Sequence, residues 1–178
     1  MEINDQLRQH TSGNIQSRIE LRPANMADLA AINRVIERAV QAWNLPDRVK
    51  RLALPTYLYN DHDLDHLHLV IAEDSAHNVI GVAAWEDAAP RDCPQGQRGL
   101  LLHGLYVDPD RQRGGAGSRL LYAAAGAARE QGCDGLLVKA QAGAEGFFRS
   151  RGLQQLAVAD ANRDYPYRFW LDLTGTAE

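Results

Sequence analysis

The chain is short of most features that would force a specialised reading. Its only two cysteines, Cys93 and Cys133, show no C-x-x-C spacing, which excludes a disulfide framework and makes a reducing compartment the simplest expectation. No run approaches the roughly 18–20 apolar residues of a membrane span. Residues Met1–Ser17 are polar and carry no apolar segment of a secretory signal. A cytoplasmic protein with no membrane partner is expected. Excess positive charge is missing too: 19 Lys and Arg against 23 Asp and Glu leave a net charge of −4 at pH 7. Gripping phosphate backbones depends on cation density, so no nucleic-acid partner is expected.

What is present is an ordinary globular balance, 45% hydrophobic and 24% charged over 178 residues. That length favours one domain with a sizeable core. A polar, mobile tail is expected over 1–17 and a single domain over 18–178. The glycines are unevenly placed: nine of the fifteen fall between Gly114 and Gly152.

Periodicity gives a short strand at Arg18–Arg22, then a helix to about Trp43 with apolar Leu29, Ile32, Val35, Ile36, Ala39 and Val40 at three- and four-residue spacing. A second helix is expected at Asp47–Ala53. Strands follow at His68–Glu73, Val79–Trp85 and Leu100–Val107, the first two as a hairpin. Gly104 within the third suggests a bulge or a close backbone approach. A helix over Ser118–Gln131, a strand at Leu136–Gln141, a short helix at Ala144–Arg151 and a last strand at Phe169–Leu173 complete the order. Hairpins combined with one β-α-β crossover imply an α+β fold, or α/β in three layers. In Asp61–His68, His62 and His66 stand four apart, a spacing that would share one helix face. The segment runs toward a strand, so a solvated loop is expected and no metal site. Its carboxylates could attract a cationic amine. Trp43, Tyr57 and Tyr59 are expected to serve packing, with a substrate wall as the alternative.

The sharpest feature is Gln112-Arg113-Gly114-Gly115-Ala116-Gly117-Ser118, between an apolar strand and an alanine-rich helix. Glycines let backbone N–H groups converge, and a helix start adds unpaired donors and a positive dipole end. A pyrophosphate is the natural occupant, with Arg113 able to add a charge-assisted contact. It is not a Walker A loop, because no Gly-Lys-Ser/Thr follows. Nor is it a dinucleotide fingerprint: Leu120 occupies the last glycine position, and the next strand ends in Lys139 and Gln141 rather than an acid.

Leu105-Tyr106-Val107-Asp108-Pro109, the loop Gln112–Gly117 and Leu120-Leu121 together resemble the GNAT superfamily of N-acetyltransferases. Downstream, Gln141, Ala144, Phe147, Phe148, Gly152 and Leu153 resemble that family's second pattern. The likeness spans about residues 18–173. It implies a mixed, mostly antiparallel sheet with splayed central strands and flanking helices, and acetyl-CoA as donor substrate. It implies pyrophosphate binding at Gln112, Arg113, Gly114, Gly115, Ala116, Gly117 and Ser118. Leu105, Tyr106 and Val107 would pair with the pantetheine arm, and Gln141 and Phe148 would line the cofactor site. The amine would attack directly, without a covalent enzyme intermediate.

Two proton-transfer roles depart from the pattern. The position often held by a catalytic Glu is His103, whose ordinary pKa near 6.5 suits a base. Glu86 is the second candidate. Phe148 stands where a Tyr often protonates the leaving thiolate, so Tyr165, Tyr167 or solvent must serve. The acceptor is a small-molecule or protein amine, and family resemblance adds a possible homodimer. The alternative function is a catalytically weak acetyl-CoA-binding sensor or regulatory module.

Overall fold

Alternating and continuous apolar runs in the middle of the chain pair into one sheet. A computed structural model describes residues 18–175; the tail expected at Met1–Ser17 lies outside them. Seven strands run in the order β1-β2-β3-β4-β5-β7-β6. They are β1 (Glu20–Pro23), β2 (His68–Glu73), β3 (Val79–Asp87), β4 (Gly99–Val107), β5 (Gly135–Lys139), β6 (Gln154–Gln155) and β7 (Arg168–Asp172). Every neighbouring pair is antiparallel except β4 and β5. That pair is parallel because a helix returns the chain across the sheet between them.

The helices are α1 (Leu29–Gln41), α2 (Asp47–Ala53), α3 (Asp61–His66), α4 (Ala116–Glu130) and α5 (Glu145–Ser150). Period-two alternation along β3 divides the core. Val82 and Ala84 meet Ile32, Ile36 and Val40 of α1 on one face, while Ala83 and Trp85 share the other with Leu120, Leu121, Ala124 and Ala128 of α4. Each fully buried aliphatic side chain stabilises the layers by about 1.5–3 kcal/mol. The three-layer α+β expectation is met.

The centre of the sheet opens. β4 and β5 are paired only from Gly99–Gly135 to Leu102–Val138, and β4 then continues to Val107 against β3 alone. At the parting point Ala84 faces Gly104 but Trp85 faces Leu102. His103 is therefore the extra residue of a bulge on β4. Gly104 has a different duty: a Cβ there would press on the Tyr59 hydroxyl and lie 2.7 Å from Cε2 of Tyr106. At the closed end, the Trp170 indole lies over Gly99 and Gly135, where a Cβ at Gly99 would come 2.7 Å from Cζ3.

Some boundaries differ from the sequence expectation. The Asp61–His66 segment is helical rather than a loop because Asn60 and Asp63 form a capping box, with the Asn60 N–H donating to Asp63 Oδ2 at 2.8 Å and Asp63 N–H to Asn60 Oδ1 at 3.3 Å. The helix after the glycine loop starts at Ala116 rather than Ser118. Trp43 falls beyond the end of α1, where the Lys50 ammonium caps the Gln41 carbonyl at 2.9 Å. Glu86 lies within β3 rather than after it.

Candidate active site

The approach to the glycine loop is held by charge. After β4, Asp108 accepts the Asp110 N–H at 2.9 Å and opens a single turn. Arg38 of α1 donates to Asp108 at 2.8 Å and to Asp110 at 2.6 Å. Arg111 donates to Asp74 in the β2–β3 turn. The Asn78 backbone N–H and side chain, then the Ala76 N–H and the Arg111 charge, hold the Asp74 carboxyl below the usual carboxylate range.

The loop itself turns on two left-handed residues, Arg113 at φ 65° and Gly115 at φ 92°. Such a turn points successive N–H groups to one side. Gly115 is the N-cap of α4, and no side chain caps that helix. Its first-turn donors and positive dipole end thus suit an anion. The left-handed Arg113 had no sequence signal, because a non-glycine residue gives none. Ser118 Oγ accepts from Arg151 Nε at 2.8 Å, and that guanidinium lies 5.6 Å from the Phe147 ring centre.

A cavity of about 750 Å³ runs from this loop through the open fork of the sheet. Leu105, Tyr106, Val107, Gln112, Arg113, Gly115, Ala116, Gly117, Ser118, Gln141 and Phe148 all line it. Gly114 does not: its missing side chain points toward the Arg111 carbonyl, 3.4 Å from where a Cβ would sit. Arg111, Lys139 and Arg151 also line the cavity and were not singled out from sequence. Their signal was proximity to the two motifs.

Beyond the fork the wall is aromatic. His103 lines it with Trp43, Tyr57, Tyr59 and Tyr106. His103 is exposed, with Nδ1 3.5 Å from the Tyr59 hydroxyl. Burial first, then the neighbouring Tyr106 phenol and the Asp63 and Glu86 charges, push the Tyr59 phenol far above its ordinary value. Burial, then Tyr57, does the same to Tyr106. Both phenols are neutral at any physiological pH.

Two further sequence expectations need correction. Glu86 does not line the cavity; two residues along β3 from Ala84, it follows the strand alternation toward the α1 face. Neither Tyr165 nor Tyr167 lines the cavity, and the Tyr165 hydroxyl is committed to the Ala140 carbonyl at 2.8 Å. His62 and His66 do share a helix face, but their rings stack at 3.9 Å and His66 Nδ1 lies 2.8 Å from the His62 carbonyl. Among the described residues no group of three or more His, Cys, Asp or Glu could hold a metal ion. Phe148 is buried against Phe169, ring centres 6.0 Å apart.

An uncapped helix start thus lies at one end of the strand fork and an aromatic chamber at the other. The chain belongs to the acetyltransferase (GNAT) family, whose model matches residues 32–153. It is 29% identical over 163 residues to an L-methionine sulfoximine/L-methionine sulfone acetyltransferase of Pseudomonas aeruginosa, covering 86% of this chain and 90% of that one. Its fold is similar to a GNAT acetyltransferase of Brucella melitensis solved with acetyl-CoA (TM-score 0.60, 19% identity, 91% of this chain and 92% of that one). It is also similar to the PaiA N-acetyltransferase of Thermoplasma acidophilum solved with coenzyme A (TM-score 0.68, 14% identity, 87% and 99%). Among the described residues no helix is long and apolar enough to cross a membrane.

Proposed function

We propose that this acetyltransferase moves the acetyl group of acetyl-CoA to the primary amine of a small acceptor by direct attack, with no covalent enzyme intermediate. The observation that carries the reading is that a single cavity joins the uncapped start of α4 to His103 through the open fork. Acetyl-CoA supplies the activated acyl group. The backbone of Arg113–Gly117 and the start of α4 would hold its pyrophosphate, and Arg113 adds charge. Leu105–Val107, unpaired on the β5 side, leave a free strand edge for the pantetheine arm. A backbone N–H freed by the bulge would stabilise the negative charge growing on the carbonyl oxygen, an effect worth a few kcal/mol in good geometry.

His103 takes the proton from the attacking amine, directly or through one water. Glu86 acts on this end through its charge rather than by contact. Phe148 has no proton to give, so solvent reprotonates the thiolate. The likeness to the Pseudomonas enzyme, named for two free amino-acid derivatives, supports a small acceptor over a protein amine.

The test is release of free thiol from acetyl-CoA across a panel of amines, alongside thermal shift with CoA esters. Amine-dependent release supports the reading. Binding of the CoA ester without release by any amine supports instead a sensor or regulatory module, the alternative that Phe148 keeps open.

A further inference from the structure

The chamber beyond the fork narrows the choice of acceptor, an inference that rests on the acetyl-transfer reading above. The lining residues contributed by the segment between α1 and α3 are Trp43, Thr56, Tyr57 and Tyr59. Trp43 and Tyr57 meet edge to face at 5.2 Å, and Tyr57 meets Tyr106 at 6.5 Å and 60°. These rings offer flat apolar area and electron-rich faces, which suit an ammonium group on an apolar body.

Among the described residues, the one ionisable nitrogen base in that wall is His103, which the reading above assigns to the amine proton. The cavity's arginines, Arg111, Arg113 and Arg151, belong to the loop and to the end of α5. The fourth cation, Lys139, is already paired with Asp92, Nζ to Oδ2 at 2.9 Å. Two carboxylates, Asp63 and Glu86, act on Tyr59 through their charge, which favours a cation over an anion beside it. A carboxylate seated against these rings would lose water with no fixed cation among the described residues to pair with, because His103 is taken up by the amine proton in the reading above.

We propose that the acceptor is a primary amine with an apolar or aromatic body and no carboxylate beside the amine, and that α-amino acids are poor acceptors. In this the chain departs from the Pseudomonas enzyme, whose named acceptors are α-amino acids.

Matched pairs test it: phenethylamine against L-phenylalanine, and L-methionine sulfone against its decarboxylated counterpart, each followed by thiol release from acetyl-CoA. The expected result is a kcat/KM about thirtyfold higher or more for the amine of each pair, the scale of one buried polar group left unpaired. Tyr57→Leu should raise the amine KM about tenfold while the Kd for CoA, which reports an intact fold, stays unchanged. Equal or better use of the amino acids overturns this inference and leaves acetyl transfer standing. No thiol release with any amine of either kind overturns both.

Discussion

Arg111 Nη2 lies 2.9 Å from Asp74 Oδ2 and ties the turn ahead of the glycine loop to the β2–β3 hairpin. The Asp74 side chain is only 5% exposed and also accepts the Ala76 and Asn78 N–H groups. With Arg38 on Asp108 and Asp110, two arginines from different parts of the chain fix where β4 ends and where the anion-binding backbone starts. Arg38 does not line the cavity. Arg38→Met is therefore expected to weaken CoA binding by about threefold, the scale of an exposed ion pair. The rate at saturating acetyl-CoA should hold. Calorimetric Kd and steady-state kcat check the split; an unchanged Kd removes the positioning role.

Gly115 sits at φ 92°, where an L side chain costs about 1–2 kcal/mol. Gly115→Ala should lower Tm and raise the Kd for CoA about tenfold. Gly114→Ala, at a position outside the cavity wall with negative φ, should do neither to the same extent. Equal effects from the two variants would show that the left-handed turn is not what matters.

The proposed base predicts an asymmetry. His103→Ala should lower kcat/KM for the amine about a hundredfold, with partial rescue by added imidazole. Glu86→Ala should change kcat/KM by less than about threefold, as expected for a charge acting without contact. An unchanged kcat/KM in His103→Ala excludes His103 as the base.

Gly104→Ala would drive a methyl group into Tyr59 and Tyr106. Overpacking of this kind costs about 1–3 kcal/mol, and Tm in a chain this size falls about 2–4 °C for each kcal/mol. Differential scanning calorimetry reads it directly. Gly126→Ala, where a Cβ meets nothing within 4 Å, should hold Tm or raise it through helix propensity.

Asp164 accepts from Arg163 and from the Asp160 and Ala159 N–H groups, which together lower its pKa to about 2. Because the folded value lies below the ordinary 3.8, the unfolded chain binds more protons between the two. Its stabilising contribution is complete above pH 4 or so and is lost as pH falls through about 2. Asp164→Asn should lower Tm at neutral pH and flatten the dependence of Tm on pH in that acid window. Unchanged slopes in wild type and variant would rule the linkage out.

The parts of this molecule that depend on local rules were legible in its residues. An anion cradle needs glycine between a strand and a helix, and Gly115 with Gly117 announced one. Helix α1 was plain because its buried side at Ile32, Val35, Ile36 and Ala39 repeats at helical spacing. The misses depended on geometry at a distance. The extra residue at His103 is visible only when β3 is laid beside β4. Gly135 had no evident purpose until Trp170, more than thirty positions later, was placed over it. A six-residue helix such as α3 is too short for periodicity to show, and its Asn60–Asp63 cap decides it. That the Tyr165 hydroxyl is committed to the Ala140 carbonyl is likewise a contact that no spacing foretells.

The three tryptophans stand in unlike surroundings: Trp85 and Trp170 are each 5% exposed in the core, while Trp43 faces the chamber. The protein therefore carries its own optical probe of the acceptor. In a Trp85→Phe, Trp170→Phe background, emission would come from Trp43 alone, and an amine seated against it would quench or shift that signal without any label or turnover.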